Sequence, residues 1–134
     1  MLTDQQDADE VGAVVDRYTD ATYRGDVDAL RECFHPSAMM SGFLDGALLV
    51  GSPEPFFQDL GGRPSMESGG LPYSSRTASL EVVGRVASVR VDETGFPGGM
   101  AFTNWFQLLK DEDDRWKIVA KLFTSRDADA RSDR

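Results

Sequence analysis

The chain has 134 residues, 40% hydrophobic and 28% charged, with 13 glycines, which is the composition of an ordinary globular protein and the length of one domain. Acidic residues outnumber basic ones by 23 to 14, a formal net charge of −9, so the long-range field repels phosphate backbones and anionic membrane surfaces, and neither nucleic acid nor membrane is an expected partner. A single cysteine, Cys33, leaves no internal disulfide and no Cys/His grouping for a metal, and no apolar run approaches a membrane span.

The start, Met1-Leu2-Thr3-Asp4, continues acidic and polar, so residues 1–9 are expected to be a flexible N-terminus, and a cytoplasmic location is the default. Val11, Val14, Val15, Tyr18 and Thr22 recur at helical spacing. Gly25 ends that helix in left-handed geometry, and Asp26 caps a second one carrying Val27, Leu30 and Phe34, which stops before Pro36. Ala38–Phe43 and Ala47–Val50 flank Asp45-Gly46 as a β-hairpin. Ser52-Pro53-Glu54 opens a third, short helix with Phe56, Phe57 and Leu60.

The glycine- and proline-rich stretch from Gly61 to Pro72 reads as a long irregular loop. Four strands follow, Tyr73–Val83, Val86–Thr94, Met100–Lys110 and Arg115–Phe123, whose short connections require an antiparallel meander. The segment 125–134 has nothing to bury and is expected to be a disordered tail, leaving 10–124 as the domain.

Both alternating sets of the last two strands are apolar. Met100, Phe102, Phe106 and Leu108 oppose Ala101, Trp105 and Leu109, and Trp116, Ile118, Ala120 and Leu122 oppose Val119 and Phe123. A strand exposed on one face shows a single apolar set, so both sheet faces are expected to be covered. Three short helices cover one face, and a second copy of the chain is expected on the other as a homodimer.

The order helix, helix, hairpin, helix, meander resembles the nuclear transport factor 2-like superfamily. Tyr23–Leu30, Phe34–Ala38, Phe102–Leu109 and Trp116–Phe123 are similar, in matching order, to its lumazine-binding and SnoaL-like branch. The resemblance implies an α+β fold in which three helices from the N-terminal half pack on a strongly curved mixed or antiparallel sheet, forming a cone with an internal cavity. It implies a hydrophobic or aromatic small molecule as partner, with no cofactor. The alternative, by analogy with related polyketide cyclase, dehydratase and ketosteroid isomerase branches, is a cofactor-independent lyase, isomerase or cyclase. Three positions depart from the branch pattern: Asn104 stands for its usual Asp, Ala120 for Asn and Thr124 for His.

His35, the only histidine, has the titration range of a general acid or base, and equally suits capping carbonyls before Pro36. No Gly-x-Ser-x-Gly elbow accompanies it to suggest a serine hydrolase. Lys121 shares parity with Val119 and Phe123, so it either enters the cavity as a nucleophile or base or forms an ion pair with Glu81 or Asp16 or sits at a dimer rim. Asp16 is the candidate acid partner. Tyr18, Tyr73, Arg76 and Asn104 are candidate ligand-orienting groups, and Met39, Phe43, Phe57, Phe102 and Phe106 candidate wall residues.

Overall fold

The computed structural model describes residues 2–127. The helices are α1 (Leu2–Arg24), α2 (Val27–Glu32) and α3 (Glu54–Gly61), and the strands β1 (Phe34–Leu44), β2 (Ala47–Gly51), β3 (Ser74–Val83), β4 (Val86–Thr94), β5 (Met100–Lys110) and β6 (Trp116–Asp127). The strands form one open sheet in the order β2-β1-β6-β5-β4-β3. The meander β3 to β6 is antiparallel as expected, and the hairpin joins it through a parallel pairing of β1 with β6. This is the α+β architecture of three helices on a mixed sheet.

Packing of the helices on one sheet face makes the core. Val11, Val14, Val15, Tyr18 and Ala21 of α1, Leu30 of α2 and Phe57 of α3 bury against Val89, Val91, Phe106, Leu108, Trp116 and Ile118. Gly25 takes φ +70°, and the Asp26 carboxylate accepts from the Ala29 N–H at 3.1 Å, so α1 ends and α2 begins within two residues.

The N-terminal segment expected to be flexible is helical from Leu2 onward. The reason is non-local: Asp7, 7% exposed, accepts from Lys110 Nζ at 2.9 Å and from Trp116 Nε1 at 3.3 Å, tying α1 to the ends of β5 and β6. At the other end β6 runs to Asp127, paired with Met100, where Arg126 donates to Thr103 Oγ1 at 3.0 Å. The rest of the expected tail lies outside the described residues.

Two irregularities place the side chains that matter. In β6 the register slips by one between Ile118 and Ala120, a β-bulge at Val119. Trp116 and Ile118 therefore share the concave face with Lys121 and Phe123, while Ala120 and Leu122 turn outward, which corrects the uninterrupted alternation expected for this strand. In β1 the register with β6 shifts between Phe34 and Met39, so His35, Pro36 and Ser37 arch out of the ladder. Gly42 then returns close to β6, where a Cβ would collide with the Phe123 carbonyl.

Candidate functional site

The concave face carries a polar cluster on its otherwise apolar floor. Strand β4 points Ala87, Val89, Val91 and Glu93 inward, and the pairing of Glu93 with Phe102 and of Val91 with Asn104 sets these residues side by side. Glu93 is 1% exposed and accepts from Asn104 Nδ2 and from Tyr73 Oη, each at 2.6 Å. Asn104 also donates to the Val91 carbonyl at 3.3 Å, while its Oδ1 is buried without a hydrogen-bond partner.

Lys121, 6% exposed, donates to Tyr18 Oη at 2.6 Å. Its Nζ lies over three rings, 4.3 Å from the centroid of Phe56, 5.2 Å from Tyr18 and 5.4 Å from Phe123. Burial pushes its ammonium down to about 8, with the charge of Glu93 pulling the other way. Burial also raises the Tyr18 phenol well above its ordinary value, aided by Glu93 and Tyr73, and burial followed by Glu93 does the same to Tyr73. Both are therefore neutral hydroxyls at ordinary pH.

Half-buried aromatics border the cluster. Phe96 meets Tyr73 at 5.5 Å and Phe102 at 4.7 Å, both edge to face; Phe102 approaches Phe123 at 6.2 Å, and Tyr23 stacks on Tyr73 at 5.7 Å. The long loop closes this side: Met66 is buried, and the Glu67 N–H donates to the Tyr23 carbonyl at 3.0 Å.

Of the residues singled out in the sequence, Tyr18, Tyr73, Phe102, Asn104, Phe106 and Lys121 come together here, with Phe106 edge-on to Tyr18 at 4.7 Å. Phe57 lies in the adjacent core, 5.3 Å from Phe34 and beneath Arg31. Five others lie elsewhere. Asp16 is on the exposed side of α1 because it falls outside the Val11–Tyr18 stripe. His35 sits in the β1 arch, its Nδ1 accepting from the Ser37 N–H at 3.0 Å, a local turn contact rather than a helix cap. Arg76 is on the outer face, 3.5 Å from Asp92. Met39 and Phe43 pair with Ala120 and Thr124 on that same face and are 48% and 49% exposed, because they alternate along β1 with the inward-facing Phe34, Ala38 and Gly42.

The ion pairs considered for Lys121 with Glu81 or Asp16 are absent among the described residues. Glu93 was missed in the sequence, although it continues the Val89–Val91 alternation and would have been found by following inward parity to the strand end. Two open grooves lie away from the cluster: one of about 640 Å³ between α1 and the start of β6, where burial raises the Cys33 thiol to about 11, and one of about 410 Å³ along the outer face beside Val86, Leu109 and Val119. Among the described residues no three His, Cys, Asp or Glu side chains gather to hold a metal, and no helix is long and apolar enough to cross a membrane.

No curated protein sequence matches the chain. Solved structures do. A nuclear transport factor 2-like protein of unknown function from Shewanella baltica is 25% identical with a TM-score of 0.79, over 92% of this chain and 96% of that one. One from Silicibacter pomeroyi is 27% identical with a TM-score of 0.79, over 91% and 98%. A ketosteroid isomerase-like protein from Erwinia carotovora atroseptica shares the fold at 15% identity and a TM-score of 0.63, over 88% and 95%. The family model described as "Putative lumazine-binding" matches residues 6–124, so the chain belongs to that family, within the nuclear transport factor 2-like superfamily.

Proposed function

We propose that the chain is a cytoplasmic, homodimeric small-molecule-binding protein that holds a hydrophobic or aromatic ligand on the concave floor, against Asn104, the Tyr73–Glu93 pair and Lys121. One observation carries this reading: Asn104 Oδ1 is a buried acceptor without a partner, at the edge of a network whose other members are bonded. Such an atom costs about 1–3 kcal/mol, and a ligand N–H or O–H offsets that cost. Phe96, Phe102 and Phe123 supply apolar walls beside it. A flat heteroaromatic with both a ring N–H and carbonyl oxygens, as in a lumazine, meets the acceptor at Asn104 and the donor at Lys121.

The test is thermal-shift screening with lumazines and a panel of aromatic and polyketide-like compounds, followed by calorimetric titration. A native-state ligand raises stability by RT ln(1 + [L]/Kd). A saturable rise that Asn104→Leu abolishes is the expected result; no shift across the panel would sink the reading.

Lys121 also favours a second reading, a cofactor-independent lyase, isomerase or cyclase, because a lysine held near 8 beside a neutral phenol can move protons at neutral pH. Two structural neighbours are named as ketosteroid isomerase-like, at 15% and 17% identity, a likeness of fold. Deuterium exchange at the carbon beside a bound ketone's carbonyl, lost in Lys121→Met, separates this from binding alone. The homodimer is supported by the outer sheet face, where Met39, Phe43, Trp105 and Leu122 are 41–55% exposed.

A further inference from the structure

Among the described residues, one buried cation is held by no carboxylate. Lys110 is paired with Asp7, and Lys117 Nζ donates to the Glu32 carbonyl at 2.6 Å. Lys121 differs from both. Among the described residues no carboxylate lies within 4.0 Å of its Nζ; its polar partner is Tyr18 Oη, and its other neighbours are rings.

We propose that Lys121 captures the carbonyl group of an aromatic aldehyde or ketone as a covalent imine, with the Tyr18 hydroxyl relaying the proton. This rests on the small-molecule-binding reading above and adds to it the class of ligand. The neutral Nζ lone pair attacks the carbonyl carbon, and the carbonyl π pair moves to oxygen. Tyr18 Oη, at 2.6 Å from Nζ, hands that oxygen its proton and recovers one from the nitrogen, giving the carbinolamine. The hydroxyl then takes the Tyr18 proton and leaves as water while the nitrogen lone pair forms the C=N bond, and the nitrogen's remaining proton returns to Tyr18, so one carbonyl and one amine yield one imine and one water, with no change of oxidation state.

The surroundings favour each stage. Burial, not the rings, disfavours the ammonium, and the faces of Phe56, Phe123 and Tyr18 around Nζ suit an aryl group on the carbonyl. The titratable groups facing Nζ are Tyr18 from α1 and Glu93 from β4, with Tyr73 bonded behind Glu93. Phe56 comes from α3, and β1 contributes Met40, paired in register with Lys121.

The experiment incubates the full chain with benzaldehyde and sodium cyanoborohydride, which reduces the imine and fixes it, and then maps modified lysines by peptide mass spectrometry. The expected result is a benzyl group on Lys121 accumulating at least about tenfold faster than on Lys110 or Lys117, with a rate that climbs towards pH ~8. Tyr18→Phe slows labelling at Lys121 by at least about tenfold and leaves the other two unchanged. Even labelling of all three lysines, or labelling that spares Lys121, overturns the proposal. Benzyl alcohol, which cannot condense, is titrated in parallel by ligand-observed NMR: binding without an adduct refutes the imine and keeps the pocket, while neither binding nor adduct refutes both.

Discussion

Glu93 is the residue on which the concave floor depends. Its two 2.6 Å bonds join β4 to Tyr73 and to Asn104 of β5, and hydrogen bonds to a charged group contribute about 1.5–3 kcal/mol each. Glu93→Ala is expected to lower unfolding free energy by about 2–4 kcal/mol in urea titrations, and Tyr73→Phe by about 1–3 kcal/mol. Coupling in the double variant should show the two sharing one interaction. Lys121 makes a different prediction. Its folded value is depressed from 10.5 to about 8, so the unfolded chain binds the extra proton between those limits, and stability rises with pH across that window. The contribution is fully present above the unfolded value and is lost as pH falls through about 8, on the order of 3 kcal/mol. Burial raises Cys33, Tyr18 and Tyr73, which act in the opposite sense at higher pH. The measurement is therefore the stability difference between wild type and Lys121→Met from pH ~7 to ~10, expected to shift in favour of wild type as pH rises.

At the level of elements, the chain is legible where the signal is local and opaque where it is not. The hairpin turn appears with Asp45 at φ +50° and Gly46 at φ +84°, and the bounds of β3, β4 and β5 match alternation and turn chemistry to within a residue. What could not be read was pairing. Nothing local in Leu2–Asp9 reveals that Asp7 meets Lys110 and Trp116, more than a hundred positions away in sequence. The same limit divides the candidate site: Tyr18, Asn104 and Lys121 were visible as polar residues in apolar company, whereas Met39, Phe43 and Arg76 were misplaced because which face of a curved sheet points inward is a property of register. Lys110 holds the Asp7 carboxyl below its ordinary value. Its stabilising effect is present at neutral pH and lost as pH falls through that lowered value. Asp7→Asn should accordingly speed amide hydrogen exchange in the first turns of α1 at neutral pH and flatten the acid limb of the Tm profile. Gly42→Ala, forced against the Phe123 carbonyl, should cost about 1–3 kcal/mol or more and raise exchange along the β1–β6 pairing.

For the whole molecule, the division of labour between the sheet faces has a direct test. The concave face is buried by α1, α2 and α3, whereas on the outer face Trp105 is 41% and Leu122 55% exposed, with Arg90 over the Trp105 ring at 5.6 Å. The proposed homodimer covers these side chains. Sedimentation at micromolar concentration is expected to give twice the 14.7 kDa chain mass, and Trp105→Glu combined with Leu122→Glu to give a folded monomer. A monomeric wild type would refute the dimer and leave the concave site untouched.

The bulge in β6 also changes how this chain tolerates loss of length. Removing one residue from a strand normally turns every later side chain to the wrong face. Val119 is the exception, because it is the surplus residue of the slip: with it gone, Ile118 faces inward, Ala120 outward and Lys121 inward, just as they do with it present. A chain of 133 residues lacking Val119 should therefore fold with its polar floor intact, whereas excising Leu122, beyond the slip, turns Phe123 and the side chains after it to the wrong face. Length variation among relatives in this strand is expected to concentrate at the bulge.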